Sequence, residues 1–151
     1  MATKLKTLHL VLDLRQKEED TARQIYQDAV RQVTLFREQI KRLQDYRVEY
    51  VQELETQGRS GFSAATYISY QGFLKKLDDI ILRQLQQLAM LEIDAQYRQR
   101  IYLERQKRRK VIEKLIERQL QERLRAENRA EQKALDDFVV TQSYRRMTGQ
   151  G

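Results

Sequence analysis

From Leu8 to Leu54 the chain repeats a single spacing. Leu8, Leu12, Arg15, Glu19, Ala22, Tyr26, Ala29, Val33, Phe36, Ile40, Leu43, Arg47, Tyr50 and Leu54 follow one another at alternating steps of four and three, and eleven of the fourteen are apolar. Such steps keep a stripe on one side of a helix, and their mean of about 3.5 residues is the repeat of a left-handed coiled coil. An apolar stripe of that length implies a partner helix. Composition removes the competing folds, because the chain has no proline, five glycines and 34% charged residues, which is the make-up of long helices. Its 40% hydrophobic content suits a thin seam between helices better than a layered core.

The pattern breaks once, at Gln57-Gly58-Arg59-Ser60-Gly61-Phe62-Ser63. Two glycines there can supply the positive φ of a helix end and turn, and Ser63 is placed to cap the next helix. A second register follows through Tyr67, Tyr70, Leu74, Leu77, Ile81, Gln84, Leu88, Leu91 and Ala95, becoming less regular beyond Arg98. Gly72 inside it costs roughly 1 kcal/mol relative to alanine, which a packed helix absorbs. The expected fold is all-α, a long antiparallel two-helix coiled coil, or α-hairpin, in a single domain. Helix 1 spans about 3–57, the turn about 58–63, helix 2 about 64–146, and 147–151 form a frayed tail. A first helix of some fifty residues makes a rod of about 75 Å. The longer second helix is then expected to run its basic C-terminal part alongside the N-terminus and extend beyond it.

Cysteine is absent, so neither disulfides nor thiolate metal sites are available. The longest apolar runs, such as Leu88-Ala89-Met90-Leu91, fall far short of the ~18 residues a membrane span requires. Lys4 and Lys6 precede Leu8 to Leu14, but His9 and Asp13 interrupt that run and no small-residue cleavage site follows, so a secretory signal is not expected. Catalysis needs a base and a nucleophile, or clustered metal ligands, in a water-excluding pocket. His9 is the only histidine, and there is neither a phosphate-binding glycine loop nor a zinc-type histidine pair. The pairs Asp78-Asp79 and Asp136-Asp137 are helix neighbours about 100° apart and do not face one another. The chain is expected to be no enzyme, with no catalytic residues, no cofactor and no metal.

Two features lie beyond the seam. Residues 98–129 hold twelve Lys or Arg and five Glu, and the resulting +7 equals the net charge of the whole chain. Its centre, Arg105, Lys107, Arg108, Arg109 and Lys110, suits an acidic protein surface, anionic lipid or nucleic acid. Nucleic acid fits least, because the charges run round the helix with few aromatics between them. The second feature is a surplus of large apolar side chains beside the turn. Gln39, Leu43, Tyr46 and Tyr50 fall at steps i, i+4, i+7 and i+11, and Phe73, Leu77, Ile80 and Gln84 repeat that spacing on the return helix. Tyr46 and Phe73 stand outside both seam registers. Grouped exposed aromatics mark binding surfaces more often than scattered ones do.

Three segments, Tyr46-Arg47-Val48-Glu49-Tyr50, Tyr70-Gln71-Gly72-Phe73-Leu74 and Ala126-Glu127-Asn128-Arg129-Ala130-Glu131-Gln132-Lys133, together resemble the flagellar export protein FliJ family over nearly the whole chain. Family members often carry tryptophans in the second helix, where Leu91, Tyr102 and Ile112 stand here. The resemblance implies a soluble component of the flagellar type III export apparatus, folded like the coiled coil of a rotary-ATPase central stalk. It implies three partners: the hexameric export ATPase, whose assembly and activity the family promotes; the cytoplasmic domain of the export-gate membrane protein; and export chaperones. It also implies that Gln39, Leu43, Tyr46, Tyr50, Phe73, Leu77, Ile80 and Gln84 bind the gate.

The basic residues Arg105, Lys107, Arg108, Arg109 and Lys110 are assigned to the ATPase ring on the hypothesis that the end of the rod bearing the termini enters or lines it. No nucleic-acid partner is expected. The expected location is cytoplasmic, at the inner face of the cell membrane through partners only. Competing readings are an injectisome stalk protein, a self-associating structural coiled coil, and a basic helix that binds RNA or DNA.

Overall fold

A computed structural model describes residues 2–149. Two helices account for nearly all of them, α1 (Ala2–Gly58, 57 residues) and α2 (Ala64–Met147, 84 residues), and no strand occurs among the described residues. The expected tail falls partly on Gln150 and Gly151, which lie outside the described residues; Thr148 and Gly149 form a turn after α2.

The turn is made by local chemistry. The amides of Ser60 and Gly61 donate to the carbonyls of Gln57 and Gly58 at 3.1 and 3.2 Å, closing the end of α1. Gly61 takes the positive φ, at 90°. Gly58 does not; it is the last helical residue, and a Cβ there would lie 3.2 Å from the Phe62 ring. Its bareness therefore admits an aromatic ring where a turn glycine was expected. Ser63 caps α2, its Oγ accepting from the Thr66 amide at 3.2 Å.

The chain divides into two compact units. In the first, residues 18–105, α1 and α2 run antiparallel. Arg23 meets Tyr102, Arg37 meets Glu92, Arg47 meets Asp78 and Tyr50 meets Tyr70, so partner numbers fall along α2 as they rise along α1. Ala22, Val33 and Ile40 from α1 and Leu74, Leu77 and Ile81 from α2 are buried along the seam. In the second unit residues 2–17 group with the C-terminal part of α2. Leu8, Leu12 and Arg15 are half-buried there, and Ile116 is buried.

All fourteen positions of the α1 register are buried or half-buried. On α2 the covered positions run from Tyr70 through Ala95 and continue at Arg98, Tyr102, Arg105, Arg109, Ile112, Ile116 and Gln119 without losing the four-three step. The expected irregularity beyond Arg98 is one of residue chemistry, not of geometry. Arginine suits such a position because its methylene stem packs while its charged head reaches the rim. From Leu120 to Gly149 every residue is exposed.

Polar chemistry also enters the seam from α1. Glu19 is 1% exposed, and its Oε1 accepts from Arg23 Nη2 at 3.3 Å. Arg23 Nε reaches the Tyr102 hydroxyl at 3.4 Å, its guanidinium lies 5.6 Å from the Tyr102 ring centre, and Tyr26 stacks on that ring at 6.1 Å. A charge-assisted pair with aromatic cover lets a carboxylate occupy a position otherwise reserved for leucine.

Candidate protein-binding surfaces

Beside the turn the structure gathers aromatic side chains from three parts of the chain. Tyr50 and Phe73 approach most closely, with ring centres 4.6 Å apart. Tyr46 lies 6.4 Å from Phe73 in an edge-on arrangement and 6.4 Å from Tyr50. Tyr70 packs on Tyr50 at 5.4 Å, and Phe62 from the turn packs on Tyr70 at 5.4 Å. The Tyr70 hydroxyl donates to Gln57 Oε1 at 2.8 Å, tying the group to the end of α1. Offset and edge-on aromatic pairs add stabilisation beyond the area they bury, so the group is a stiff surface. Burial pushes the Tyr50 hydroxyl above its ordinary pKa, with Tyr70 and Tyr46 contributing.

The eight expected gate-binding residues sort into two kinds. Gln39, Tyr46, Phe73 and Ile80 are exposed, the last three at 49%, 40% and 46%. Leu77 is buried at 5%, while Leu43, Tyr50 and Gln84 are half-buried. The Gln84 Oε1 atom is itself buried and has no hydrogen-bond partner among the described residues. Four of the eight therefore present side chains to solvent, and the other four form the ground on which they stand. Beside them Arg47 grips Asp78 with two nitrogens, Nη2 to Oδ2 at 3.2 Å. That pairing holds the Asp78 carboxyl below the usual carboxylate range.

Phe62 and Tyr70 join this group without having been expected there. Phe62 lies in the turn, which helical periodicity does not describe, and Tyr70 reads from sequence as an ordinary seam residue. The signal for Phe62 was Gly58 four residues earlier, whose missing side chain leaves room for the ring.

The five expected ATPase-binding residues fall on both sides of the division between the units. Arg105 closes the first unit and is half-buried at a seam position. In the second, Arg109 is also half-buried, its side chain 18% exposed, with Nη1 donating to Glu113 Oε1 at 2.8 Å. Lys107, Arg108 and Lys110 are exposed. Within six residues the charges do encircle the helix, as expected, but over a longer span the second unit separates them. Arg109 and Arg123 pair with Glu113 and Glu127 one turn on. Lys107, Lys110, Lys114, Arg118, Arg125 and Arg129 make no ion pair or side-chain hydrogen bond among the described residues.

No group of three or more potential metal ligands and no helix long and apolar enough to cross a membrane occurs among the described residues. No curated protein and no solved structure matches the chain. A family model described as flagellar FliJ protein matches residues 4–148. With that match covering nearly the whole length of an antiparallel helical hairpin, the chain belongs to the flagellar FliJ protein family, and membership implies a component of the flagellar export apparatus.

Proposed function

We propose that this protein is a non-catalytic coiled-coil adaptor of the flagellar export apparatus. It binds the export-gate membrane protein through the aromatic surface beside the turn and the export ATPase ring through the basic segment of α2. It works in the cytoplasm, promotes ATPase assembly and activity, escorts export chaperones, and reaches the inner face of the membrane through the gate.

One observation carries this reading: Tyr46 and Phe73 are held half in water by rings that pack behind them, at 49% and 40% exposure. A helical hairpin has no folding need to keep two aromatic rings there, and exposed, preorganised aromatic groups are typical of protein-binding surfaces. From Lys107 on, the basic segment lies in the other unit, so one chain offers two chemically different surfaces to two partners.

The test is a pull-down with the gate's cytoplasmic domain and the ATPase as baits. Tyr46→Ala combined with Phe73→Ala is expected to lose the gate while keeping its helicity. Undiminished capture of the gate by the helical variant would remove the aromatic surface from the function.

A further inference from the structure

The six unpaired cations of the second unit share one line along the helix. At about 100° per residue, Lys107, Lys110, Lys114, Arg118, Arg125 and Arg129 fall within about 60° of a common direction, and the line is roughly 33 Å long. Seam residues Ile112 and Ile116 lie on the opposite side, so the cations point away from the partner helix. All six are exposed. The two seam-side arginines, Arg109 and Arg123, are each neutralised by a glutamate one turn on. Glu122 reaches one edge of the outward face. Glu117 flanks the opposite edge and Glu113 and Glu127 lie toward the seam, so the row itself contains no acid.

Exposed apolar side chains accompany the row. Val111 is 56% exposed within it, Leu115 is 39% exposed along one edge, and Leu124 is 57% exposed toward the other. A helix that sets cations beside aliphatic side chains on a straight face suits the boundary of a bilayer, where ammonium and guanidinium groups meet phosphates and aliphatic groups enter the acyl region. Nucleic acid would use the cations but not the aliphatics, and its groove-wound phosphates do not follow a straight line. The face also lacks aromatic residues for base stacking.

We propose that the outward face of α2 from Lys107 to Arg129 docks on an anionic phospholipid surface. This contact is direct and separate from the gate contact proposed above; at its start it shares Lys107 and Lys110 with the ATPase contact, whereas Lys114, Arg118, Arg125 and Arg129 belong to it alone. It gives the protein its own affinity for the membrane beside which export takes place.

The test is co-sedimentation of the full chain with vesicles of phosphatidylcholine mixed with phosphatidylglycerol, against pure phosphatidylcholine, at about 0.15 M salt. Binding is expected to the anionic vesicles only and to fall as salt rises. The variant Lys114→Gln, Arg118→Gln, Arg125→Gln, Arg129→Gln leaves residues 105–110 intact and keeps four good helix formers. At about fivefold per cation near the surface, it is expected to bind at least ~100-fold more weakly. Because the chain has no tryptophan, Leu124→Trp adds a single reporter whose emission should shift to the blue on anionic vesicles. Failure of the unaltered chain to bind anionic vesicles, equal binding to both compositions, or unchanged binding of a helical quadruple variant would overturn the proposal. So would an unshifted Leu124→Trp emission, or tighter retention on a DNA or RNA duplex than on vesicles.

Discussion

Replacing Leu77 and Ile80 in turn by alanine separates scaffold from surface among residues that sequence spacing treats alike. Leu77 is 5% exposed and sits in the seam, whereas Ile80, one turn further along α2, is 46% exposed. Truncating a buried leucine in a globular core costs about 2–5 kcal/mol, the spread reflecting how far the cavity collapses. A two-helix seam has water on both flanks and relaxes readily, so the lower part of that range applies, about 2–3 kcal/mol. At roughly 2–4 °C per kcal/mol for a chain of this size, Leu77→Ala is expected to lower the melting temperature by about 4–12 °C. Ile80→Ala removes a half-solvated side chain and gains a little helix propensity, so its cost stays below about 1 kcal/mol. Thermal melts followed by far-ultraviolet circular dichroism read both, and gate binding is measured well below either midpoint. There Ile80→Ala should weaken binding with the fold intact, while Leu77→Ala should act mainly through stability. Equal melting temperatures, or a larger drop for Ile80→Ala, would refute the division of the eight residues.

Three further outcomes follow from particular contacts. Gly61→Ala should destabilise by about 1–2 kcal/mol, because its φ of 90° is hostile to a side chain, whereas Gly72→Ala should stabilise by up to about 1 kcal/mol in a helix interior with nothing within 4 Å; chemical denaturation measures both. The Asp78 carboxyl titrates below its ordinary value because Arg47 holds it, so its contribution is complete above the unfolded carboxylate pKa and fades as pH falls through the folded one. Asp78→Asn should therefore flatten the acid side of the stability profile, and an unchanged profile would count against the pairing. Amide exchange should be slowest around Val33–Ile40 and Leu74–Ile81 and close to unprotected across residues 120–149, where α2 has no packed neighbour among the described residues.

The hairpin was legible because an apolar stripe and a glycine-bearing break are local signals. Leu8 to Leu54 supplied the first, and Gly58 to Ser63 the second. The charged seam residues of α2 were not legible, since a count of apolar residues ignores Arg105 and Arg109 even where burial continues at the same step, whereas Glu19 was carried by the regular spacing around it. Glu19 is tolerated through Arg23, and Arg109 has Glu113 beside it, contacts that depend on rotamers rather than on spacing. Of the aromatic surface, Tyr46 and Phe73 could be read as outsiders to both registers. Which of the eight residues present themselves and which support them depended on how far the second helix covers each one. Phe62 was hidden because a turn residue has no periodicity to betray it. The separation of paired from unpaired cations needed positions over more than six turns of α2, whereas the densest six residues taken alone have charge all the way round.

The proposal that two surfaces on one chain each take their own partner is best tested by measuring both affinities of two variants side by side. Titration calorimetry with the gate's cytoplasmic domain and with the ATPase would be run on Tyr46→Ala/Phe73→Ala and on Lys107→Glu/Lys110→Glu, the latter chosen because Arg109 is half-buried and paired with Glu113. The first variant is expected to lose the gate and keep the ATPase, and the second to do the reverse. Loss of both partners by either variant with helicity intact, or of neither partner by both, would contradict the proposal.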